Sequence, residues 1–532
     1  MESVNRAAAV LAAAVALTLS GCGADRPAGP APAIPTSLAG QPPQLVVDNT
    51  ISPDAVQHAV DSIDQLAADL LKTSGIPGLA VAVVHGGKTV YAKGFGVKDV
   101  RAGDGEQNRV DADTVFQLAS LSKPLGATVV AHQVGIGAIG WDTPIASKLP
   151  WFQLSNPDIA RMVTVGDLYS HRSGLPDHAG DLLEDLGYDR RYVLDHLRDL
   201  PLDPFRISYA YTNFGLTAAA EAVAAGAGER WEDLAAEVLY RPLGMTSTSS
   251  RFADYAARPD RAVGHIHVDG KYEPEYVRDA DAQSPAGGVS SSVNDVARWM
   301  TMLLADGSYG GRQIVDPKAL QPALTPQITS DRATEPAMRS GFYGYGFNVG
   351  TNAAGRVQLS HSGAFELGAG SNFLMIPSAD VAIVALTNAT PSGVAEALTA
   401  QFADLVQFGQ VRQNWYQLYH DNVFVPMERP VGSLVGQTPP AKPIPPQPLP
   451  SYAGTYANPY WGPARVTADG GKLTLTLGPK LVAPLSHWDG NVFTFSMVTE
   501  NSPPGSISKA TFDGNRLVLE YFDNEDKGTF TR

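Results

Sequence analysis

Hydrophobic positions along the chain fall into three successive patterns. From Val56 the apolar residues Val56, Val60, Ile63, Ala67 and Leu70 recur at helical spacing. Ser52–Pro53–Asp54 stands just before them and predicts the helix start, with a capping serine and proline at the first helical position. A hairpin follows: Leu79–Val84, the pair Gly86–Gly87, then Thr89–Val97. The middle of the chain mixes helical segments with long loops. Two further strands are predicted near 370–377 and 380–388, and Val394, Leu398, Phe402 and Leu405 predict a closing amphipathic helix. Strands at both ends of a region with helices between them imply an α/β fold, one antiparallel sheet completed by two distant chain segments and flanked by helices.

The pattern changes after residues 437–450, which hold seven prolines in fourteen positions and read as a stiff, extended linker. Beyond it Leu473, Leu475 and Leu477 alternate with threonines, Val492–Phe495 follows, and Leu517–Phe522 comes after the turn Asp513–Gly514–Asn515. Short strands with glycine-containing turns predict a small antiparallel β-barrel. The expected divisions are 1–21 (signal peptide), 22–50 (flexible tether), 51–430 (main domain), 431–450 (linker) and 451–532 (barrel).

Composition narrows the function. With 44% hydrophobic and 17% charged residues the chain is globular, and a net charge of −15 without a basic run excludes nucleic acid as a partner. The apolar run 7–19 suits a signal-peptide core and is short for a bilayer span. Leu19–Ser20–Gly21–Cys22 follows it and resembles the lipobox of bacterial lipoproteins, in which the cysteine is lipidated and becomes the mature N-terminus. The resemblance implies an extracytoplasmic protein tied to the bacterial membrane through a lipid on Cys22, where soluble nucleotide cofactors are not expected partners.

Ser-x-x-Lys occurs twice, as Ser120–Leu121–Ser122–Lys123 and as Ser506–Ile507–Ser508–Lys509. The second falls in a strand-like run, where residues three apart face opposite ways. The first precedes a helical run in which Pro124 is tolerated only within the first turn, so Ser120 and Lys123 share a face at a helix start. Ser122 is rotated away from the lysine. Farther along stand Tyr211–Thr212–Asn213 and His361–Ser362–Gly363, separated from Ser120 and from each other by 91 and 150 residues.

The order Ser-x-x-Lys, Tyr-x-Asn, basic residue-x-Gly resembles the class C β-lactamase and penicillin-binding serine hydrolase family over roughly residues 50–410. Accessory segments add to it: Leu168–Pro176, Pro242–Met245 and Ala286–Val289. The barrel is similar to domains appended to several such hydrolases. The resemblance implies a β-lactamase/transpeptidase-like fold with a helical subdomain, no cofactor, no metal, and a small ester, amide or peptide substrate. It further implies that Ser120 forms an acyl-enzyme, Lys123 activates it, Tyr211 shuttles a proton, and Asn213 orients Lys123 and substrate. The N–H groups of Ser120 and Ala364, beside Gly363, would form the oxyanion hole.

His361 departs from the Lys-Thr-Gly or Lys-Ser-Gly of β-lactamases and resembles D-aminopeptidases and esterase-like members. An imidazole titrating near its ordinary value of about 6.5 predicts weak carboxylate recognition that strengthens as pH falls through that value. An esterase or D-aminopeptidase-like hydrolase is therefore expected. The alternatives are a D,D-carboxypeptidase or weak β-lactamase acting on peptidoglycan or β-lactams, and a catalytically silent envelope binding protein.

Overall fold

The computed structural model describes residues 42–532 apart from positions 48 and 104. Cys22, the signal segment and residues 22–41 of the expected tether lie outside the described residues. The predicted first helix is two: α1 (Ala55–Asp61) and α2 (Ile63–Ser74). Ser62 interrupts them, its hydroxyl bonding back to the His58 carbonyl at 2.9 Å. Ser52 caps through its carbonyl, which accepts the Ala55 N–H, so the helix begins later than the serine and proline suggested. Val56, Val60, Ile63, Ala67 and Leu70 are all buried, as their spacing requires.

The main sheet is antiparallel and eight-stranded. Its strands are β1 (Gly78–His85), β2 (Lys88–Gly96), β3 (Ile328–Asp331), β4 (Gly341–Tyr343), β5 (Asn348–Thr351), β6 (Val357–Phe365), β7 (Ala369–Ile376) and β8 (Val381–Thr387). They lie in the order β2-β1-β8-β7-β6-β5-β4-β3, so the N-terminal hairpin is completed by strands from some 300 residues on, with Leu79 opposite Thr387. Gly86 and Gly87 turn the hairpin with φ of 62° and 72°, the left-handed region that a two-residue turn of this kind needs.

Both faces of the central strands are buried, which explains their unbroken apolar runs. Val81, Val83, Ile383 and Ala385 join the core beneath α1, α2 and the closing helix α6 (Val394–Phe408). Ala80, Ala82, Val84, Val384 and Leu386, one residue out of phase, join the core on the other face. There α5 (Val293–Leu304) packs on β1 and β8, with α3 (Ser122–Gly135) and α4 (Asn213–Ala227) deeper in the helical part.

The C-terminal strands, β9 (Gly454–Tyr456), β10 (Ala464–Asp469), β11 (Lys472–Leu477), β12 (Leu481–Asp489), β13 (Val492–Phe495), β14 (Ser508–Asp513), β15 (Arg516–Leu519) and β16 (Thr529–Thr531), pair in sequence order. A bridge between Ala457 and Thr531 brings the last strand back to the first, giving a nearly closed barrel. Leu473, Leu475 and Leu477 point inward, as their alternation indicates. The proline-rich stretch does not stand free. Its Ile444, which unlike its proline neighbours has an N–H, donates it to Asp489 Oδ1 at 2.6 Å and accepts the Gly490 N–H.

Truncating Ile383, fully buried at the centre of the sheet, tests this double-sided core. Ile383→Ala is expected to lower the unfolding free energy by about 2–5 kcal/mol, measured by urea denaturation. A change below about 1 kcal/mol would mean that the face is not packed as described.

Candidate active site

Ser120 sits in a single 3-10 turn, Ala119–Leu121, that runs into α3. The residue before it, Ala119, is held at φ 47°, a strained conformation for alanine that turns the chain sharply into the helix. Lys123 is fully buried one turn on, and its amine makes three bonds: to Ser120 Oγ at 3.0 Å, Asn213 Oδ1 at 2.7 Å and the Ala286 carbonyl at 3.0 Å. The first residue of α4 and the Ala286–Val289 segment thus complete what the Ser-x-x-Lys spacing begins. Burial draws the Lys123 pKa down to about 7, against the pull of the Asp181 carboxylate.

Asp181 is a member of this network that sequence reasoning missed. Its Oδ2 accepts from Asn213 Nδ2 at 2.8 Å and from the His178 ring at 2.8 Å. Burial opposes charge on His178, yet the Asp181 bond and charge, with Asp177 nearby, hold its pKa at about 9. No local motif marks Asp181: His178 stands three residues before it, but Asn213 and Lys123, through which it reaches the nucleophile, come from other segments.

Tyr211 lies with its ring under the Lys123 amine, 4.5 Å from nitrogen to centroid, and lines the cleft with Ser120. Burial raises its pKa well above the ordinary value, so it remains a protonated phenol. The accessory segment Leu168–Pro176 positions it. His171 accepts the Thr212 N–H at 3.1 Å and places its ring 4.5 Å from that of Tyr211.

On the opposite wall β6 passes close to the nucleophile turn. A side chain at Gly363 would bring its Cβ to 2.2 Å from the Leu118 carbonyl and 2.9 Å from the Ser120 nitrogen, so only glycine fits there. The pairing of β5 with β6 ends at Ser360, which leaves residues 361–365 as an open edge beside Ser120 and places Ala364 in the cleft.

His361 overturns the expectation of an imidazole titrating near 6.5. Its Nδ1 lies 2.6 Å from the Ser362 carbonyl, an acceptor only, so Nδ1 carries the proton and Nε2 accepts from the Tyr343 hydroxyl at 2.9 Å. Burial first, then the Lys123 charge, lower its pKa to about 3. It is a neutral, fully bonded ring over the whole working range. Its pH-dependent grip on a carboxylate is thereby removed.

The second Ser-x-x-Lys is structural. Ser506 donates to the Pro503 carbonyl and accepts the Val431 N–H at 3.0 Å, whereas Lys509 lies in β14. Ser122 likewise serves the backbone, donating to the Ala119 carbonyl and accepting the Val289 N–H.

The cleft around Ser120 has a volume of about 500 Å³. Asp181, Tyr211, Asn213, His361 and Ala364 line it, together with Arg278 and three residues of the barrel, Glu500, Asn501 and Pro503. Arg278 is bound to Glu184 at 2.7 Å and lies 3.5 Å from Glu500. Burial raises the pKa of Glu366 to about 7 and, despite Arg278, that of Glu500 to about 8.

A serine hydroxyl bonded to a buried amine of pKa near 7, beside an open strand edge, defines a serine acyl-transfer enzyme. The chain belongs to the Beta-lactamase family, whose model matches residues 63–408, and it is a serine hydrolase of that family. A second model, a domain of unknown function (DUF3471), matches residues 438–521. The chain is 29% identical to the unguisins hydrolase ungD′ of Aspergillus campestris, over 76% of this chain and 77% of that one. Penicillin-binding protein 4 of Amycolatopsis lactamdurans is 32% identical over 63% of this chain and 86% of its own. Esterase EstB of Burkholderia gladioli is 26% identical over 65% and 94%. The octameric penicillin-binding protein homologue from Pyrococcus abyssi shares the fold, with TM-score 0.57 and 19% identity over 89% of this chain and all of that one.

Only the neutral amine of Lys123 accepts a proton, so kcat/KM for an ester is expected to rise with pH through about 7. Asp181→Asn keeps an acceptor for Asn213 but removes the charge that raises the lysine's pKa. The rising limb should move to lower pH by about one pH unit. An unmoved limb in a folded variant would show that another group controls it.

Proposed function

We propose that the protein is an esterase or amidase of the bacterial envelope that cleaves uncharged acyl substrates through an acyl-enzyme on Ser120. Lys123, as the free amine, takes the Ser120 proton while Oγ bonds to the substrate carbonyl carbon. The carbonyl oxygen becomes the oxyanion facing the N–H groups of Ser120 and Ala364. Collapse breaks the bond to the leaving group, which takes its proton from Lys123 directly or by way of the Tyr211 phenol. Water then attacks the acyl-enzyme by the same route, releasing the acid and restoring the serine.

The observation that carries the choice of substrate is that the cations of the described cleft are already committed. Arg278 is bonded to Glu184 and has Glu500 at 3.5 Å, His178 is bonded to Asp181, and His361 is neutral. Above pH 7 to 8, where Glu366 and Glu500 are ionised, a carboxylate arriving there meets both, with Lys123 as the attraction beside Ser120. The names of the similar penicillin-binding proteins favour a second reading, a peptidase or weak β-lactamase on carboxylate-bearing substrates. The test is a matched pair of esters, one neutral and one bearing a carboxylate on the same frame, from pH 5 to 9. The neutral ester should lead by at least about tenfold, worth ~1.4 kcal/mol. Its lead should grow between pH 7 and 8, where Lys123 loses charge and Glu366 and Glu500 gain it. A lasting preference for the carboxylate would put the second reading first.

Attachment rests on the lipobox-like sequence alone. The protein should partition into detergent, and Cys22→Ser should move it to the aqueous phase, since a two-chain lipid anchor holds firmly. An unmodified Cys22 on membrane-extracted protein, read by mass spectrometry, would refute the anchor.

A further inference from the structure

The barrel does more than append a second fold, because part of it stands in the catalytic cleft. Between β13 and β14 the chain leaves the barrel for residues 496–507. There Thr499 and Ser502 exchange backbone hydrogen bonds of 3.2 and 3.3 Å, which makes Glu500–Asn501 the tip of a tight hairpin. The base is braced by Ser502 Oγ on the Met497 carbonyl and by Ser506 Oγ on the Pro503 carbonyl. These bonds brace the hairpin from within its own segment.

The cleft nevertheless grips it at two points. Asp185, at the end of the short helix Asp181–Asp185, accepts from Thr499 Oγ1 at 2.8 Å, from the Asn501 N–H at 3.3 Å and from Asn501 Nδ2 at 2.9 Å. The same helix begins with Asp181, which sets Asn213 and, through its charge, Lys123. On the far side Glu500 Oε1 accepts the Glu366 N–H at 2.7 Å. Glu366 stands two residues past Ala364, just beyond the end of the open edge of β6. The hairpin therefore spans the cleft, from the helix behind the Ser–Lys pair to the strand end carrying the Ala364 N–H.

We propose that the hairpin Thr499–Ser502 is a specificity element of the hydrolase. It closes the cleft against long acyl groups lying along β6, and Glu500 is a positioning residue that fixes the Ala364 N–H through Glu366. This rests on the reading of Ser120 as the nucleophile. The hairpin carries no group that reacts. It acts by occupying space and by holding one backbone segment in register with the serine.

The experiment uses the full-length protein and p-nitrophenyl esters from acetate to octanoate, with the leaving group constant. Asn501→Ala removes one amide from Asp185, which keeps two other donors, so the variant folds; melting temperature checks this. Its ratio of kcat/KM for octanoate to that for acetate should rise at least fivefold. Glu500→Ala should raise the same ratio and also lower kcat for acetate about tenfold with little change in KM. Glu500→Gln, which keeps the acceptor oxygen, should restore most of that kcat. A residue that served stability alone would depress all esters by one factor and leave the ratio unchanged. A ratio within twofold of wild type in Asn501→Ala and Glu500→Ala overturns the proposal, whatever the absolute rates. Fluorophosphonate labelling of the wild type separates the two readings. An adduct on a residue other than Ser120 would sink the nucleophile assignment and the proposal with it, whereas labelled Ser120 with unchanged ratios sinks the hairpin alone.

Discussion

The site is organised around the burial of one amine. A lysine stripped of water and left without partners would lose its proton outright or unfold its surroundings. Lys123 avoids both because three oxygens, from Ser120, Asn213 and Ala286, meet it within 3.0 Å. They come from widely separated parts of the chain, so the network exists only when the helical part has closed on itself. Asp181 then sets how far burial goes, since its charge offsets some of the loss of solvent. The result is an amine poised near neutrality rather than a fixed cation.

The same desolvation acts on the rest of the wall with the opposite outcome. His361 has one acceptor and one donor at its two nitrogens, so it is comfortable as a neutral ring and has nothing left to offer. Its position in the third motif is therefore steric and polar rather than ionic. Gly363, two residues on, matters for a different reason. It lets a strand edge and the nucleophile turn approach closer than any side chain would permit. On the other side of the cleft Glu184 binds Arg278 and Glu500 lies 3.5 Å from it, so that guanidinium faces carboxyl groups already in place.

Much of this was legible in the chain itself, for identifiable reasons. Proline after the lysine distinguished Ser120 from Ser506, because a helix start brings residues three apart together and a strand does not. The apolar runs at 79–84 and 380–388 marked strands, whereas their burial on both faces is seen only in the fold. The start of the first helix was misplaced by a few residues, since Ser52 engages through its carbonyl and not its hydroxyl. Asp181, Tyr343 and Glu500 were not legible at all. Each acts through a contact between segments distant in sequence, and each looks locally like an ordinary acidic or aromatic residue. The titration of His361 was misjudged for a related reason. Its intrinsic value says nothing of the Tyr343 hydroxyl or of the water excluded around it.

The placement of β1 beside β8 has a consequence for how the molecule is made. Leu79 finds Thr387 across roughly 300 intervening residues, a pairing of high contact order whose loop-closure entropy makes it slow. Until the second segment has been synthesised, the hairpin Gly78–Gly96 has its own turn but no partner for the other edge of β1 and no cover for its apolar faces. That edge is an open template for any other strand it meets. The nascent chain is therefore exposed to misassembly at Leu79–Val84, a stretch that ends fully buried in the finished protein.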